Sequence, residues 1–169
     1  MSHASRATSL ATYVPSSLPT PPGRSRFDSV DEYAAAFAAW LRDMTVERSW
    51  FATLTYQRSK RRLSFERASH DLRAWARQVS HDAFTSCRAK RRGVPWVGAI
   101  EPQADGTPHV HAILTKCSHL DPRAVEAHWA HGRSLVEPYD EERAGCEYLV
   151  KSIANGAYLD IATAFTRGL

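Results

Sequence analysis

Apolar positions recur at helical spacing in the first half of the chain. Residues 27–44, "FDSVDEYAAAFAAWLRDM", carry an apolar stripe, and Ser29 with Glu32 has the spacing of a capping box at its start. Residues 65–84, "FERASHDLRAWARQVSHDAF", repeat the pattern with arginines between the apolar positions, as an amphipathic helix does. The pattern predicts a helix in each stretch.

Two further helices are expected in the second half. Residues 121–132, "DPRAVEAHWAHG", open with Asp as N-cap and Pro at the first helical position, and Gly132 can end the helix. Residues 140–158, "DEERAGCEYLVKSIANGAY", have Asp140 as a cap and Gly156 as a terminator.

Shorter stretches between these helices have the pattern of β-strands. Residues 50–57 are rich in β-branched and aromatic side chains, and residues 133–138 form a brief strand. Residues 94–102 and 107–116 are strand-like runs joined by "QADG", whose Asp-Gly pair is a strong hairpin signal. After the first helix the order is β, α, β, β, α, β, α. This order predicts an α+β fold, a central antiparallel sheet with helices packed mainly on one face.

Composition places the chain among soluble globular proteins. Hydrophobic residues make up 43% of the 169 positions and charged residues 24%, and no apolar run approaches the roughly 20 residues of a membrane span. Residues 1–26 are rich in Ser, Thr, Pro and Ala, which predicts a disordered leader before one domain at residues 27–169. The three cysteines cannot all pair and form no CxxC motif, so a reducing cytoplasm is the expected location.

Positive charge is concentrated in one segment. The net charge is +4, but residues 58–92 hold 11 basic residues against 3 acidic ones. Such a segment suggests a polyanionic partner.

The stretch "TPHVHAILTK" places two histidines on one side of a predicted strand. Alternate strand residues face opposite ways, so Val110, Ala112 and Leu114 can face the helices while His109 and His111 face the other side. Two imidazoles on one face can hold one divalent metal ion. The alternative is that they are ordinary residues of a half-exposed sheet surface.

Glu101 favours the metal interpretation. It lies at the end of the preceding strand, and the hairpin would bring it back beside the histidines. One carboxylate with two imidazoles leaves coordination positions open, which suits Mg²⁺ or Mn²⁺ acting on a phosphate better than a closed zinc site.

The segment "EYLVK" supplies a second candidate group. Tyr148 and Lys151 are three residues apart, so on a helix they project within reach of the same substrate group. The alternatives are a core aromatic residue for Tyr148 and an ion-pair partner of Glu147 for Lys151. Leu149, Val150 and Ile153 already supply a core stripe, which leaves Tyr148 at its edge.

Together these segments resemble the HUH endonucleases, named for histidine, a hydrophobe and histidine, and especially the rolling-circle replication initiator (Rep) proteins with a single catalytic tyrosine. The resemblance rests on three motifs in the family's order: "FATLTY" (51–56), "GTPHVHAIL" (106–114) with Glu101 upstream, and "YLVK" (148–151). They span about 100 residues and leave the first 45 or so outside.

The resemblance implies a reaction and a ferredoxin-like or RRM-like Rep nuclease fold. A metal ion held by Glu101, His109 and His111 would polarise the scissile phosphate of single-stranded DNA, and Tyr148 would attack it. The product would be a 5′-phosphotyrosyl enzyme and a free 3′-OH, and the same site could rejoin strands. Lys151 is carried over as a cation that holds the phosphate.

Further expectations concern DNA contacts. The basic residues next to the first motif and at the end of the basic segment are candidates for backbone contacts, the alternative being an ordinary solvated surface: Arg58, Lys60, Arg61, Arg62, Lys90, Arg91 and Arg92. Thr53 and Thr55 could line the site, but core packing is the favoured role. Tyr158 is expected near a helix end in a structural role, and His119, His128 and His131 at the surface or at helix ends.

The expected partner is single-stranded DNA at a replication origin, at a hairpin or nick site, in a bacterial, plasmid or phage setting. The sequence contains no GxxxxGK[ST] phosphate loop, so a separate helicase would unwind the DNA. Two alternatives remain open: a single-tyrosine transposase or relaxase-like strand transferase, and a non-catalytic DNA-binding regulator of the same fold.

Overall fold

The computed structural model describes residues 26, 28–44, 49–57, 63–140, 149, 151–152 and 157–162. Apart from Arg26, the expected leader lies outside these residues, as do Tyr148 and Gly156. Leu149, Lys151 and Ser152 have helical backbone, in agreement with the helix expected there.

Five strands form one antiparallel sheet. They are β1 (Trp50–Tyr56), β2 (Trp96–Pro102), β3 (Pro108–Leu114), β4 (Gly132–Pro138) and β5 (Tyr158–Ile161), in the spatial order β4-β1-β3-β2-β5. Every neighbouring pair is antiparallel, which confirms the predicted α+β class. β2 and β3 form the expected hairpin, whose turn has Gly106 at a positive φ of 77°.

β5 differs from the sequence prediction. The helical pattern continues through residue 158, but Tyr158 begins an edge strand that pairs with β2. Tyr158 is therefore not at a helix end. Its ring stacks on Phe65 with a centroid distance of 6.2 Å, in keeping with the structural role expected of it.

Four helices are described: α1 (Val30–Met44), α2 (Phe65–Ala83), α3 (Cys87–Arg92) and α4 (Pro122–Ala127). The capping box of α1 is confirmed, since Ser29 Oγ accepts from the Glu32 amide at 3.1 Å and a Glu32 carboxylate oxygen accepts from the Ser29 amide at 3.3 Å. The Asp121 cap of α4 is also confirmed, at 2.9 Å from the Arg123 amide. The short α3 was not predicted.

Most helical packing lies on one face of the sheet. The apolar stripe of α2 is fully buried there and packs with the side chains of β1, β2 and β3 that point the same way; α4 contributes Val125, and Trp129 follows it. The chief members are Leu72, Trp75, Val79, Ala52, Leu54, Ile100, Val110, Ala112 and Leu114. The predicted orientation of Val110, Ala112 and Leu114 is therefore confirmed.

α1 covers part of the opposite face. Phe37 and Leu41 pack with Val97, Ala99 and Ile113, together with the buried Leu149. The second face is thus not open along its whole length. The helix covers the end of the sheet where β2 begins and β3 finishes, and the histidines lie beyond it on the same face.

Gly132 has a different role from the one expected. α4 ends at Ala127, and Gly132 is the first residue of β4, directly opposite Tyr56 of β1. A Cβ atom at this position would lie 2.1 Å from the Thr55 carbonyl oxygen. A close approach of two strands, rather than a helix end, requires glycine here.

Within the described residues, none of the helices is long and apolar enough to cross a membrane.

Candidate active site

Sheet register brings the predicted site residues together. In β3, His109 lies opposite Thr55 of β1 on one side and opposite Glu101 of β2 on the other. His111 lies opposite Thr53. Because side chains alternate along a strand, all five point to the same face of the sheet.

The two imidazoles are neighbours at the centre of this group. The ring centroids of His109 and His111 are 4.4 Å apart, and Nε2 of His111 is 3.5 Å from a carboxylate oxygen of Glu101. Phe51 stacks on His111 with a centroid distance of 5.8 Å; His111 is buried, whereas His109 is half-buried. Solvent therefore reaches this group from the side of His109 and Glu101.

The threonines of β1 hold both histidines. Thr53 Oγ1 lies 3.3 Å from Nδ1 of His111, and Thr55 Oγ1 lies 3.0 Å from Nδ1 of His109. The sequence favoured core packing for both threonines, and that interpretation is wrong, since each hydroxyl contacts an imidazole. A hydroxyl can donate or accept, so it can support either ring tautomer.

Gln103 was not singled out from the sequence. Its side-chain amide nitrogen lies 2.9 Å from Nδ1 of His109, so the β2–β3 turn also contributes to the ring's orientation. Gln103 directly follows β2, two residues after Glu101, and that spacing was the one available signal. Phe51 was also missed as a site residue, although it alternates with Thr53 and Thr55 along β1.

Burial keeps both histidines neutral near pH 7. Burial, reinforced by the neighbouring His109, lowers the pKa of His111 to about 4. Burial also lowers the pKa of His109, and the charge of Glu101 opposes that effect. A neutral imidazole has one nitrogen with an available lone pair, which is the form that binds metal ions.

The donor set and its arrangement differ in how well they suit a metal ion. Two neutral imidazoles and a carboxylate are the right chemistry for Mg²⁺ or Mn²⁺ with open coordination positions. No trio of His, Cys, Asp or Glu side chains in the described parts of the chain is arranged to hold one, however. Backbone register thus places the three residues together, and three-ligand binding needs a change of side-chain rotamers.

The third motif is described in part. Tyr148 lies outside the described residues, while Lys151 is exposed. Leu149, the neighbour of Tyr148 in sequence, is buried against Ala99 and Ile113 on the histidine face. The helix at this position therefore packs on the same face of the sheet as His109 and His111.

The candidate DNA contacts fall into two groups. Arg58, Lys60, Arg61 and Arg62 lie outside the described residues. Lys90, Arg91 and Arg92 form the last turn of α3, with Arg91 and Arg92 exposed and Lys90 half-buried. α3 lies between α2 and the beginning of β2, away from the histidines.

The remaining histidines have separate surroundings. His128, the C-cap of α4, lies 2.7 Å from a carboxylate oxygen of Asp82. His131 is near the buried Asp71, at 3.6 Å, and packs against the Tyr56 and Trp129 rings. His119 is exposed.

An antiparallel sheet that carries two histidines and a glutamate on one face is consistent with the Rep nuclease fold. A family model for replication-associated proteins of the ORF2 type matches residues 49–157, more than half of the chain. The chain therefore belongs to this family of replication-associated proteins, which supports a role in the initiation of replication. No curated protein and no solved structure gives a significant match.

Proposed function

We propose that this chain is a metal-dependent endonuclease and strand transferase that cuts single-stranded DNA at an origin and so initiates rolling-circle replication. The observation that carries the proposal is the register of β1, β2 and β3, which sets Glu101 opposite His109 and places His111 beside them. Membership of the replication-associated family supports the role in replication.

Glu101, His109 and His111 are the residues that would hold a divalent ion, Mg²⁺ or Mn²⁺. Such an ion supplies Lewis-acid polarisation of the phosphate that is cut. The protein's own contribution is to keep both imidazoles neutral through burial and to orient them through Thr53 and Thr55. Glu101 contributes negative charge where the site meets solvent.

Tyr148 is the proposed nucleophile. Its phenol oxygen forms a bond to phosphorus while the bond from phosphorus to the 3′ oxygen of the preceding nucleotide breaks. The phenol proton passes to solvent, and the 3′ oxygen takes up a proton to become a hydroxyl. Because the covalent link to Tyr148 keeps one phosphate ester for each ester broken, the reverse reaction rejoins strands. Lys151 is the proposed cation that holds the phosphate.

The proposed partner is single-stranded DNA at an origin, presented at a hairpin or nick site, with a separate helicase. Positive charge supports this choice, because phosphate contacts by Lys and Arg account for most of the affinity of proteins for nucleic acids. The proposed backbone contacts are Arg58, Lys60, Arg61, Arg62, Lys90, Arg91 and Arg92.

One observation favours a second candidate, a non-catalytic DNA-binding protein of the same fold. In the described part of the chain, no trio of ligand-type side chains is arranged to hold a metal ion. A protein of this second kind would bind origin DNA and never form a covalent product.

The deciding experiment uses oligonucleotides from the chain's own genetic neighbourhood, labelled on either side of the nick, with Mn²⁺. A label on the 3′ side should migrate with the protein in a denaturing gel, and a label on the 5′ side should run as a shorter free strand. Tyr148→Phe should form no adduct, because it keeps the ring and removes the reacting oxygen. Tyr158→Phe, at the exposed start of β5, is the matched control and should form the adduct as the parent does.

Two results would contradict the proposal. Cutting without a covalent species makes water the attacking group and excludes the tyrosine mechanism. DNA binding without any cutting by the parent supports the non-catalytic candidate.

A further inference from the structure

A strongly basic cavity lies between α2, α3 and the beginning of β2. Its volume is about 360 Å³. Among the described residues that line it none is acidic, and five are cationic: Arg73, Arg77, Lys90, Arg91 and Arg92. A cavity with this lining attracts anions.

The wall formed by α3 is fixed in place. Gly93, at a positive φ of 79°, ends α3 and donates its amide to the Ala89 carbonyl. The next amide, of Val94, donates to the buried Ser80 hydroxyl of α2 at 2.8 Å. These bonds hold the end of α3 against α2, so its cationic side chains start from a defined backbone.

One of the five cations is already neutralised. Asp160 accepts two hydrogen bonds from the Arg73 guanidinium, at 2.8 and 2.9 Å, and a third from the Ser69 hydroxyl. Arg77, Arg91 and Arg92 are exposed, and no ion pair links them or Lys90 to a carboxylate of the described residues. The cavity therefore keeps a net charge that an anionic ligand can neutralise.

The cavity is separate from the histidine site. It adjoins Trp96 at the first residue of β2, whereas Glu101 is five positions further along the strand. At about 3.3 Å per residue this is roughly 17 Å. α2 and the histidines also lie on opposite faces of the sheet. A phosphate bound in the cavity is therefore not the phosphate that is cut.

The lining favours contacts to a nucleic-acid backbone. Proteins that hold single strands combine cations with exposed aromatic platforms on which bases stack. Of the described lining residues only Trp96 is aromatic, and it is buried with 6% of its surface exposed. Cationic groups without a stacking surface suit double-stranded DNA, whose bases are already stacked and whose phosphates face outward.

We propose that the cavity binds the phosphate backbone of duplex DNA that flanks the strand cut at the histidine site, an inference that rests on the proposed function. One segment of DNA would lie at the histidines, while the adjoining duplex reaches round to α3.

The test measures binding by fluorescence anisotropy with the full chain in EDTA, so that no cutting takes place. The probes are a blunt hairpin duplex and a single-stranded oligonucleotide of matched length. Arg77→Ala/Arg91→Ala should weaken duplex binding, and the slope of log affinity against log salt should fall by about two, one unit for each lost phosphate contact. Single-strand binding should change less.

Arg123→Ala is the control, compared with Arg91→Ala alone. Arg123 is exposed on α4 and does not line the cavity. It should leave the duplex slope unchanged, whereas Arg91→Ala should lower it by about one unit. Circular dichroism and thermal unfolding of each variant check that the fold is retained.

Three results would overturn the inference: an unchanged duplex slope in the double variant, an equal effect of Arg123→Ala, or an equal loss for the two probes. A parent that cuts no DNA but shows the duplex effect of Arg77 and Arg91 keeps the cavity assignment and removes the proposed function.

Discussion

Two clusters that combine histidine with a carboxylate lie on opposite faces of the sheet, at the end of β1. Thr55 points to one face and contacts His109, while the next residue, Tyr56, points to the other and contacts Asp71. Neighbouring positions in the chain thus serve two polar groups that differ in how completely they are satisfied.

The Asp71 cluster is closed. The Tyr56 hydroxyl donates to its carboxylate at 3.1 Å, Arg67 Nε lies at 3.0 Å, and His131 and His70 are within 3.6 Å. Burial alone would raise the pKa of Asp71, but the nearby His131 and the hydrogen bonds outweigh it and lower that pKa. Such a carboxylate is saturated, so the cluster serves to stabilise the packing of α2 on β1.

The histidine cluster is built differently. Its two imidazoles are neutral because burial lowers both pKa values, and the Glu101 side chain keeps 26% of its surface exposed. The threonines contact Nδ1 of each ring, which leaves each Nε2 on the side of the ring that can meet a metal ion. The comparison teaches that the supply of partners, more than residue type, separates a stabilising cluster from a candidate reactive one.

The largest contrast is expected from removing a histidine. His109→Ala or His111→Ala should reduce DNA cutting by more than about 100-fold, the upper range for loss of a mere supporting partner, because each removes a proposed ligand. A gel assay with Mn²⁺ measures the loss, and EDTA should abolish parent cutting to the same extent. If both variants cut as the parent does, the metal assignment is wrong.

Asp71→Asn should have the opposite profile. It breaks a buried charged network, so the free energy of unfolding should fall by about 3 kcal/mol in urea titration. Cutting below the unfolding temperature should stay near the parent rate. Tyr56→Phe, which removes one hydrogen bond to the same carboxylate, should cost about 1 kcal/mol. A stable Asp71→Asn variant that has lost cutting would place this cluster in the reaction.

Much of this contrast could be predicted from the sequence on the histidine face. A period of two places His109 and His111 together, and an Asp-Gly turn brings Glu101 back opposite His109, so local geometry was sufficient. The orientation of Val110 toward α2 follows from the same alternation.

Other features depend on contacts between distant segments. Thr53 and Thr55 meet the histidines because β1 pairs with β3, and nothing local specifies that register. β5 was missed because its pairing with β2 overrides a helical pattern, and α3 because six residues without an apolar stripe show no helical period. The Asp71 cluster was missed because its members come from β1, α2 and the loop before β4.

The threonines offer a finer test of the histidine face. Thr53→Val and Thr55→Val keep the side-chain shape and remove the hydroxyl, so Mn²⁺ affinity should fall about 10-fold, as for other supporting partners of metal-bound histidines. Calorimetric titration measures the affinity, and long-range ¹H–¹⁵N spectra of the metal-free rings should show altered tautomer populations.

Thr53→Ser and Thr55→Ser should restore most of the affinity, since they keep a hydroxyl. Thr115→Val, at a buried threonine just after β3, is the control for loss of a hydroxyl elsewhere. Unaltered tautomers and affinity in the valine variants would show that the threonines serve packing alone. A parent that binds no Mn²⁺ would instead contradict the metal assignment.

The smallest expected effect is the acid response of the Asp71 cluster. Its pKa is lower in the folded chain than the ordinary 3.8, so the unfolded chain binds the proton more readily. The stabilisation from the ionised carboxylate is therefore complete above about pH 4 and is lost as the pH falls through the lower, folded pKa. Asparagine cannot titrate, so the difference in unfolding free energy between parent and Asp71→Asn should be constant from about pH 7 to 5 and should narrow below about pH 4. A difference that stays constant down to about pH 2.5 would mean that Asp71 stabilises the fold through shape and hydrogen bonding rather than through its charge.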